Sequence, residues 1–199
     1  EANITPDKIR AVKDISKLPF VTKEDLRKSQ EANPPWGAIL TIKPKECQRV
    51  HLTSGTTGKP LKILDTAGDW SRFCHIYARN LYAYRIRKTD MVMPTFSFGP
   101  WIGFWAGYYA CQEIGCLLFA SGGMKTDQRI DALLTYPITV LGCTPSYALH
   151  MADLADKNGI NFSRQARIRI SWHTGEAGTA IHSVRQKIEE AYACKAFDF

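Results

Sequence analysis

The chain has 199 residues, enough for one large domain or two small ones. Apolar residues make up 45%, charged residues 23% and aromatics 11%, which is the balance of a folded globular protein and excludes a low-complexity disordered chain. Lys and Arg number 26 against 19 Asp and Glu, and the resulting net charge of +7 favours small anionic partners, since no basic run marks a nucleic-acid tract.

The first part, to about Ile42, is loosely organised. Thr22 followed by Asp25 reads as an N-cap with an acidic third position and predicts a helix over Lys23–Ser29. Asn33-Pro34-Pro35 then breaks the chain. Gln48–Thr53 and Leu61–Leu64 read as strands around a loop of turn, hydroxyl and basic residues. Trp70, Phe73, Tyr77, Leu81 and Tyr84 recur at spacings of three and four and predict a helix over Asp69–Arg85. From there strands and helices alternate. Strands are expected at Asp90–Met93, Cys116–Ala120, Ile138–Gly142, Ile168–Trp172 and from Lys195 to Phe199. Helices are expected at Trp101–Glu113, at Asp127–Leu134, after Thr144 with Pro145 in its first turn and Gly159 past its end, and at Ile181–Tyr192. In the last of these, Ile181, Val184, Ile188 and Tyr192 share a face. The alternation predicts an α/β fold with a mostly parallel sheet and flanking helices. Gly99, Gly103 and Gly107 recur at spacings of four near the Trp101 helix, which predicts a close approach on that face by a backbone or a ligand.

Six cysteines (Cys47, Cys74, Cys111, Cys116, Cys143, Cys194) are scattered, with no CxxC and no Cys/His cluster. They read as reduced, mostly buried thiols and place the protein in the cytoplasm. No metal-ligand spacing of His residues occurs, so no protein metal site is expected. Residues 91–112 carry no charge, a length that can span a bilayer. Pro94, Thr95, Ser97, Gly99 and Pro100 interrupt that stretch, and no basic flank bounds it, so a strand, a loop and a buried helix are expected rather than a membrane span. No signal peptide precedes the first element, and both ends read as cut.

The strongest signal is Thr53-Ser-Gly-Thr-Thr-Gly-Lys-Pro60. Gly55 and Gly58 free the backbone to turn its N–H groups inward; Thr53, Ser54, Thr56 and Thr57 offer hydroxyls; Lys59 adds a positive charge. This set suits a polyphosphate. It is not a Walker A loop, because two residues rather than four separate the glycines and Pro60 follows the lysine. No GxGxxG occurs, so a dinucleotide fingerprint is also absent.

The octapeptide resembles the phosphate-binding signature of the adenylate-forming superfamily. Within it the chain is most similar to the phenylacetate-CoA ligase branch, through Leu18-Pro-Phe-Val-Thr-Lys-Glu-Asp-Leu-Arg27, Leu141-Gly-Cys-Thr-Pro-Ser-Tyr147 and Gly175-Glu176. The resemblance implies part of the large N-terminal adenylation (AMP-binding) domain over residues 1–199, with the later motifs and the small C-terminal lid domain outside the chain. It implies activation of a carboxylic acid by MgATP to an acyl-adenylate, then transfer to CoA. Carried over residue by residue, Thr53, Ser54, Gly55, Thr56, Thr57, Gly58 and Lys59 would hold the β- and γ-phosphates, with Thr56 and Lys59 acting in catalysis. Gly175, Glu176 and Ala177 would pack along the adenine, in a loop that lacks the branch's common proline, and Asp198 and Phe199 would lie beside it. Phe98, Gly99, Trp101, Ile102, Trp105 and Tyr147 would line an acyl pocket whose aromatic walls suit an aromatic acid. Phe98, Trp101, Phe104 and Trp105 also read as core. His51 reads as structural or surface, and His173 as a residue near the nucleotide. The implied cofactors are ATP, Mg2+ and CoA; nucleic acid and membrane are not expected partners, and the oligomeric state, a homodimer included, stays open. Two other readings stay open: adenylyl transfer to an acceptor such as a phosphorylated deazaflavin, and a non-catalytic nucleotide-binding module.

Overall fold

The structure, a computed structural model, describes residues 4–53, 59–97 and 99–199. Thr22 and Asp25 cap each other: the Thr22 amide donates to the Asp25 carboxylate at 2.8 Å and the Asp25 amide to the Thr22 hydroxyl at 3.2 Å. They start α1 (Lys23–Ala32), which continues past Ser29 to the Asn33 break. β1 (Arg49–Leu52) and β2 (Lys62–Asp65) form an antiparallel pair with Leu52 opposite Lys62. Gln30 docks α1 on this pair, donating to the Lys62 carbonyl at 2.7 Å and accepting from its amide at 3.1 Å.

α2 (Ala67–Ala83) begins two residues before Asp69. Thr66 is the N-cap, and Asp69 sits at the third helical position of a capping box instead of opening the helix. Then follow β3 (Met91–Pro94), α3 (Ile102–Ile114), β4 (Leu117–Leu118), α4 (Thr126–Thr135), β5 (Val140–Cys143), α5 (Pro145–Lys157), α6 (Phe162–Gln165), β6 (Ile170–His173), α7 (His182–Tyr192) and β7 (Lys195–Asp198). The one-turn α6 has no counterpart in the sequence reading. β4 is shorter than expected because only Leu117 and Leu118 pair with β3.

The main sheet runs β4-β3-β5-β6-β7, and every neighbouring pair is parallel. Alternation along the strands sends Val92, Val140, Ile170 and Trp172 to the face covered by α2 and α3. Met93, Leu141, Cys143 and Ala196 go to the face covered by α4, α5 and α7. Ile188 and Tyr192 of α7 join that second core, whereas Ile181 stands at the N-cap and is 54% exposed. Residues 91–112 are β3, its exit loop and most of α3, and among the described residues no helix is long and apolar enough to cross a membrane.

At Gly107 the close approach expected on the glycine face is made by a side chain, the Trp172 ring. A Cβ on Gly107 would stand 2.6 Å from the Trp172 ring, and one on Gly142 of β5 would stand 2.3 Å from the same ring. Gly103 faces open space, and Gly99 lies before α3 begins.

The strand order sets where a ligand can sit. From β3 the chain turns outward to β4; from β5 it turns the other way to β6. The exits of β3 and β5 therefore diverge. The crevice beyond the carboxyl ends of two such strands is where open α/β sheets bind ligands.

Candidate functional site

The rim of this crevice is built from four strand exits. After β3, the Thr95 amide donates to the Gly142 carbonyl at 2.7 Å and its hydroxyl to the same oxygen at 3.1 Å, holding the exit against β5. After β5, the Thr144 hydroxyl accepts from the Tyr147 amide at 3.3 Å and Pro145 opens α5. After β6 the chain turns at Gly175, whose φ of +94° is a left-handed backbone that glycine adopts without strain. The Glu176 carboxylate then accepts from the free Ser146 amide at the start of α5, at 2.7 Å. Those Ser146 hydrogen bonds hold the Glu176 carboxyl below the usual range. Gly178 lies so close that a Cβ there would stand 2.2 Å from Pro145. The Glu176 bond and the Gly178 contact therefore fix a turn that carries Ala177 where the branch commonly has proline. A cleft of about 330 Å3 opens between Pro145, Ser146, Glu176, Ala177 and Val184.

After β7, the Phe199 amide donates to the His173 carbonyl at 2.9 Å. The Asp198 carboxylate accepts from the Thr179 hydroxyl at 2.5 Å, and its main-chain carbonyl from the Tyr84 hydroxyl at 2.6 Å. The Phe199 ring stacks on Tyr77 with centroids 3.6 Å apart. Thr179 thus engages the carboxylate for which an adenine contact was expected, and Phe199 packs toward α2.

The root of the phosphate-type loop is closed by Thr53. Its amide donates to the Leu61 carbonyl at 3.0 Å, and its hydroxyl accepts from the Leu61 amide at 3.0 Å, leaving the hydroxyl proton for another acceptor. Lys59 leaves this neck with its side chain 81% exposed and its ammonium 3.9 Å from the Glu31 carboxylate. A contact so loose and so exposed binds the charge weakly. Clefts of about 320 and 470 Å3 flank Lys59. Ser54, Gly55, Thr56, Thr57 and Gly58 lie outside the described residues. Two residues upstream, His51 is buried, stacked on Trp70 at 4.9 Å and 3.4 Å from Asp65. Burial lowers the pKa of His51 and raises that of Asp65. His51 is thus structural and packs under the loop root.

The expected acyl-pocket residues divide. Phe98 lies outside the described residues. The Gly99 carbonyl accepts from the Trp105 indole at 2.7 Å. Trp101 is the N-cap of α3, 41% exposed and bridged to Leu52, while Phe104 is core and Ile102 packs beside the α2–α3 core. Trp105 lines a cleft of about 230 Å3 with Arg49, His51, Pro100 and Tyr109. Tyr147 packs on the opposite face of the sheet, its hydroxyl accepting from Arg129 at 2.8 Å and 3.2 Å from that of Thr126. Arg129 was missed by sequence reading. It is 7% exposed and also donates to the Ser121 carbonyl at 2.9 and 3.1 Å; an arginine on a helix gives no sign of this in sequence. His173 is fully buried, bonded to Ser171 at 2.9 Å and 3.2 Å from the Cys143 carbonyl, and so lies in the core rather than in the crevice. Among the described residues no group of three His, Cys, Asp or Glu side chains is arranged to hold a metal.

The two halves of the site are joined at one place. The Leu52 amide, one residue before Thr53, donates to the Pro100 carbonyl at 2.8 Å in the segment that leaves β3. The loop root therefore stands at the β3 side of the crevice. An exposed ammonium and the Thr53 hydroxyl stand at that root, and an apolar cleft runs along the Ala177 turn.

Comparison with known proteins finds acid–CoA ligases. No family profile matches the chain. A phenylacetate-coenzyme A ligase of Pseudomonas putida is 29% identical over 198 residues, covering 100% of this chain and 43% of that protein. One from Aromatoleum evansii is 30% identical over 158 residues, covering 79% of this chain and 35% of that protein. The chain thus spans less than half the length of these curated relatives. A 2-hydroxyisobutyryl-CoA ligase, solved with 2-HIB-AMP and CoA in the thioesterification state, superposes with a TM-score of 0.91 at 30% identity, over 99% of this chain and 42% of that one. A long-chain-fatty-acid-CoA ligase from Archaeoglobus fulgidus shares the fold alone, with a TM-score of 0.57 at 13% identity, over 76% of this chain and 29% of that one.

Proposed function

Because this chain is a relative of the phenylacetate-coenzyme A ligases within the adenylate-forming superfamily, we propose that the whole protein carrying it is an acid–CoA ligase. It activates a carboxylic acid with MgATP, releasing pyrophosphate, and passes the acyl group to CoA. The observation that supports this most is the Leu52–Pro100 bond, which holds the end of β1, one residue before Thr53, against the segment that leaves β3.

The residues divide the work. Thr53 to Lys59 cradle the β- and γ-phosphates, and Lys59 and Thr56 stabilise the charge that moves onto pyrophosphate. Mg2+ would enter with ATP on the phosphates that Thr53 to Lys59 cradle, and would supply neutralising charge there. The turn Gly175–Glu176–Ala177 supports the adenine, with Asp198 and Phe199 bracing that turn from β7. The acid lies along the β3 exit, from Phe98 and Gly99 to Trp101, Ile102 and Trp105, and Tyr147, bonded to Arg129 near the start of α5, bounds it from the other face of the sheet. The indoles favour an aromatic acid. We read the chain as part of the large adenylation domain, inactive without the remaining motifs and the small domain. Six free thiols suit a reducing compartment, and we place the protein in the cytoplasm.

The test is carboxylate-dependent exchange of labelled pyrophosphate into ATP by the whole protein, across aryl and aliphatic acids. Exchange is expected with aryl acids. Lys59→Ala is expected to reduce catalytic efficiency by roughly 10- to 100-fold, the loss of one charge-assisted bond of about 1.5–3 kcal/mol. Saturable MgATP binding without exchange for any acid would overturn the ligase reading. Exchange confined to aliphatic acids would overturn the aromatic one.

A further inference from the structure

We propose that Cys111 and Cys116 are a reversible thiol–disulfide pair, closed by a hydroperoxide and reopened by a dithiol. The geometry begins with how α3 ends. Gly115 takes a left-handed φ of +89°, its amide bonds the Gln112 carbonyl at 3.0 Å, and the Cys116 amide bonds the Cys111 carbonyl at 3.0 Å. These two bonds make a Schellman cap, in which the side chains at the first and last of these positions, here 111 and 116, meet over the helix end. That contact is ordinarily between two hydrophobic residues. Here both positions are cysteine, and Cys116 packs against the core that contains Cys111.

The thiols are ordered as well as adjacent. The Cys116 thiol donates to the Arg87 carbonyl at 3.3 Å. The neighbouring Cys111 thiol holds Cys116 below the ordinary thiol range, while the Cys116 sulfur and burial raise Cys111. Asp90 also faces the pair and opposes ionisation; Arg169, bonded to Asp90, favours it. Exposure divides the roles: Cys116 is half-buried and Cys111 fully buried. A peroxide therefore meets Cys116 first.

The chemistry balances with hydrogen peroxide as oxidant. The Cys116 thiolate attacks one peroxide oxygen; the S–O bond forms, the O–O bond breaks, and hydroxide leaves and takes up a proton as water. The Cys111 sulfur then attacks the Cys116 sulfenic acid, the S–S bond forms, and the hydroxyl leaves with the Cys111 proton as a second water. Two thiols are oxidised by two electrons and one peroxide is reduced by two.

The experiment exposes the folded, reduced chain to stoichiometric hydrogen peroxide, blocks free thiols, and maps peptides by mass. The expected result is one intrachain link between Cys111 and Cys116, lighter by two hydrogens and reversed by dithiothreitol, with Cys74, Cys143 and Cys194 still reduced. In Cys111→Ala, the Cys116 sulfenic acid is expected to persist and be captured by dimedone; in Cys116→Ser, Cys111 is expected to stay reduced. Dimedone capture or over-oxidation of Cys116 in the parent chain with Cys111 unlinked would overturn the proposal. So would two thiols that both stay open to alkylation after denaturation, at peroxide levels that oxidise free cysteine.

Discussion

Gly103 and Gly107 are four residues apart on one helix, and the structure gives an added methyl opposite effects at the two. At Gly107 the new Cβ meets the Trp172 ring at 2.6 Å. Ordinary contact starts near 3.4 Å, so the ring must retreat by about 0.8 Å. It has little room, because on β5 the same ring lies where a Gly142 side chain would begin. Trp172 is wholly buried, with Phe96 at 5.6 Å and Tyr77 at 6.5 Å closing its other sides. Overpacking of this kind costs about 1–3 kcal/mol. Gly107→Ala is therefore expected to lower Tm by roughly 2–12 °C for a chain of this size. At Gly103 nothing lies within 4 Å of the new Cβ and φ is ordinary, so alanine is expected to stabilise by about 0.4–1 kcal/mol through the unfolded chain. Thermal unfolding followed by tryptophan fluorescence gives both values. Equal shifts of the same sign at the two positions would refute the Trp172 contact, and so would failure of Trp172→Phe to recover part of the Gly107→Ala loss.

Asp90 joins the starts of three strands, accepting from Thr139 at 2.7 Å, the Arg87 amide at 2.8 Å and Arg169 at 2.9 Å. Asp90→Ala is expected to cost about 2–4 kcal/mol in denaturant unfolding, at the lower end if Arg169, which is partly exposed, regains water. Burial raises the Asp90 carboxyl, but the Arg169 and Thr139 bonds outweigh it and hold the group low, so its stabilisation is present above about pH 4 and is lost as pH falls further. His173 behaves differently: burial drops it from 6.5 to about 4, so the unfolded chain binds the extra proton between those values. Stability should fall by roughly 2 kcal/mol from pH 7 to pH 5, a slope that His173→Gln flattens and that equilibrium unfolding at each pH would measure. In the whole protein, Tyr147→Ala is expected to change acid preference more than the KM for ATP; the reverse pattern would place Tyr147 at the nucleotide.

What the sequence revealed was local. Thr22 with Asp25, and Thr144 with Pro145, announce helix starts because the partners are within three residues, and the structure begins α1 and α5 there. Thr66 carries the same signal, yet the apolar period drew the start of α2 to Asp69, which is the box's third position. The glycine spacing was legible and its cause was not, since Trp172 comes from a strand 65 residues beyond Gly107. His173 escaped for a related reason. A central parallel strand is buried on both faces, so alternation carries no message about exposure, and His173 and Trp172 are equally enclosed. Arg129 was invisible because its partners, the Ser121 carbonyl and the Tyr147 hydroxyl, are made neighbours only by folding.

The candidate site follows the same division. In a Walker loop the phosphate grip grows from a strand of the main sheet and leads into its helix, so one turn fixes both the grip and its place. Here the TSGTTGKP segment joins a separate antiparallel pair, and the place of that pair beside the β3 exit depends on tertiary bonds. The Leu52 amide reaches Pro100, and Gln30 clamps Lys62 from α1. The motif could therefore announce a phosphate ligand without announcing where the base or the acid would lie. The strand order marks the crevice: the exits of β3 and β5 diverge, and Pro100 on one of them holds Leu52 of β1. Loss of Lys59 should thus weaken the grip on phosphate and leave the crevice intact. Loosening the Leu52–Pro100 contact should lower activity by shifting the loop root from the β3 exit, although every loop residue is retained in the sequence.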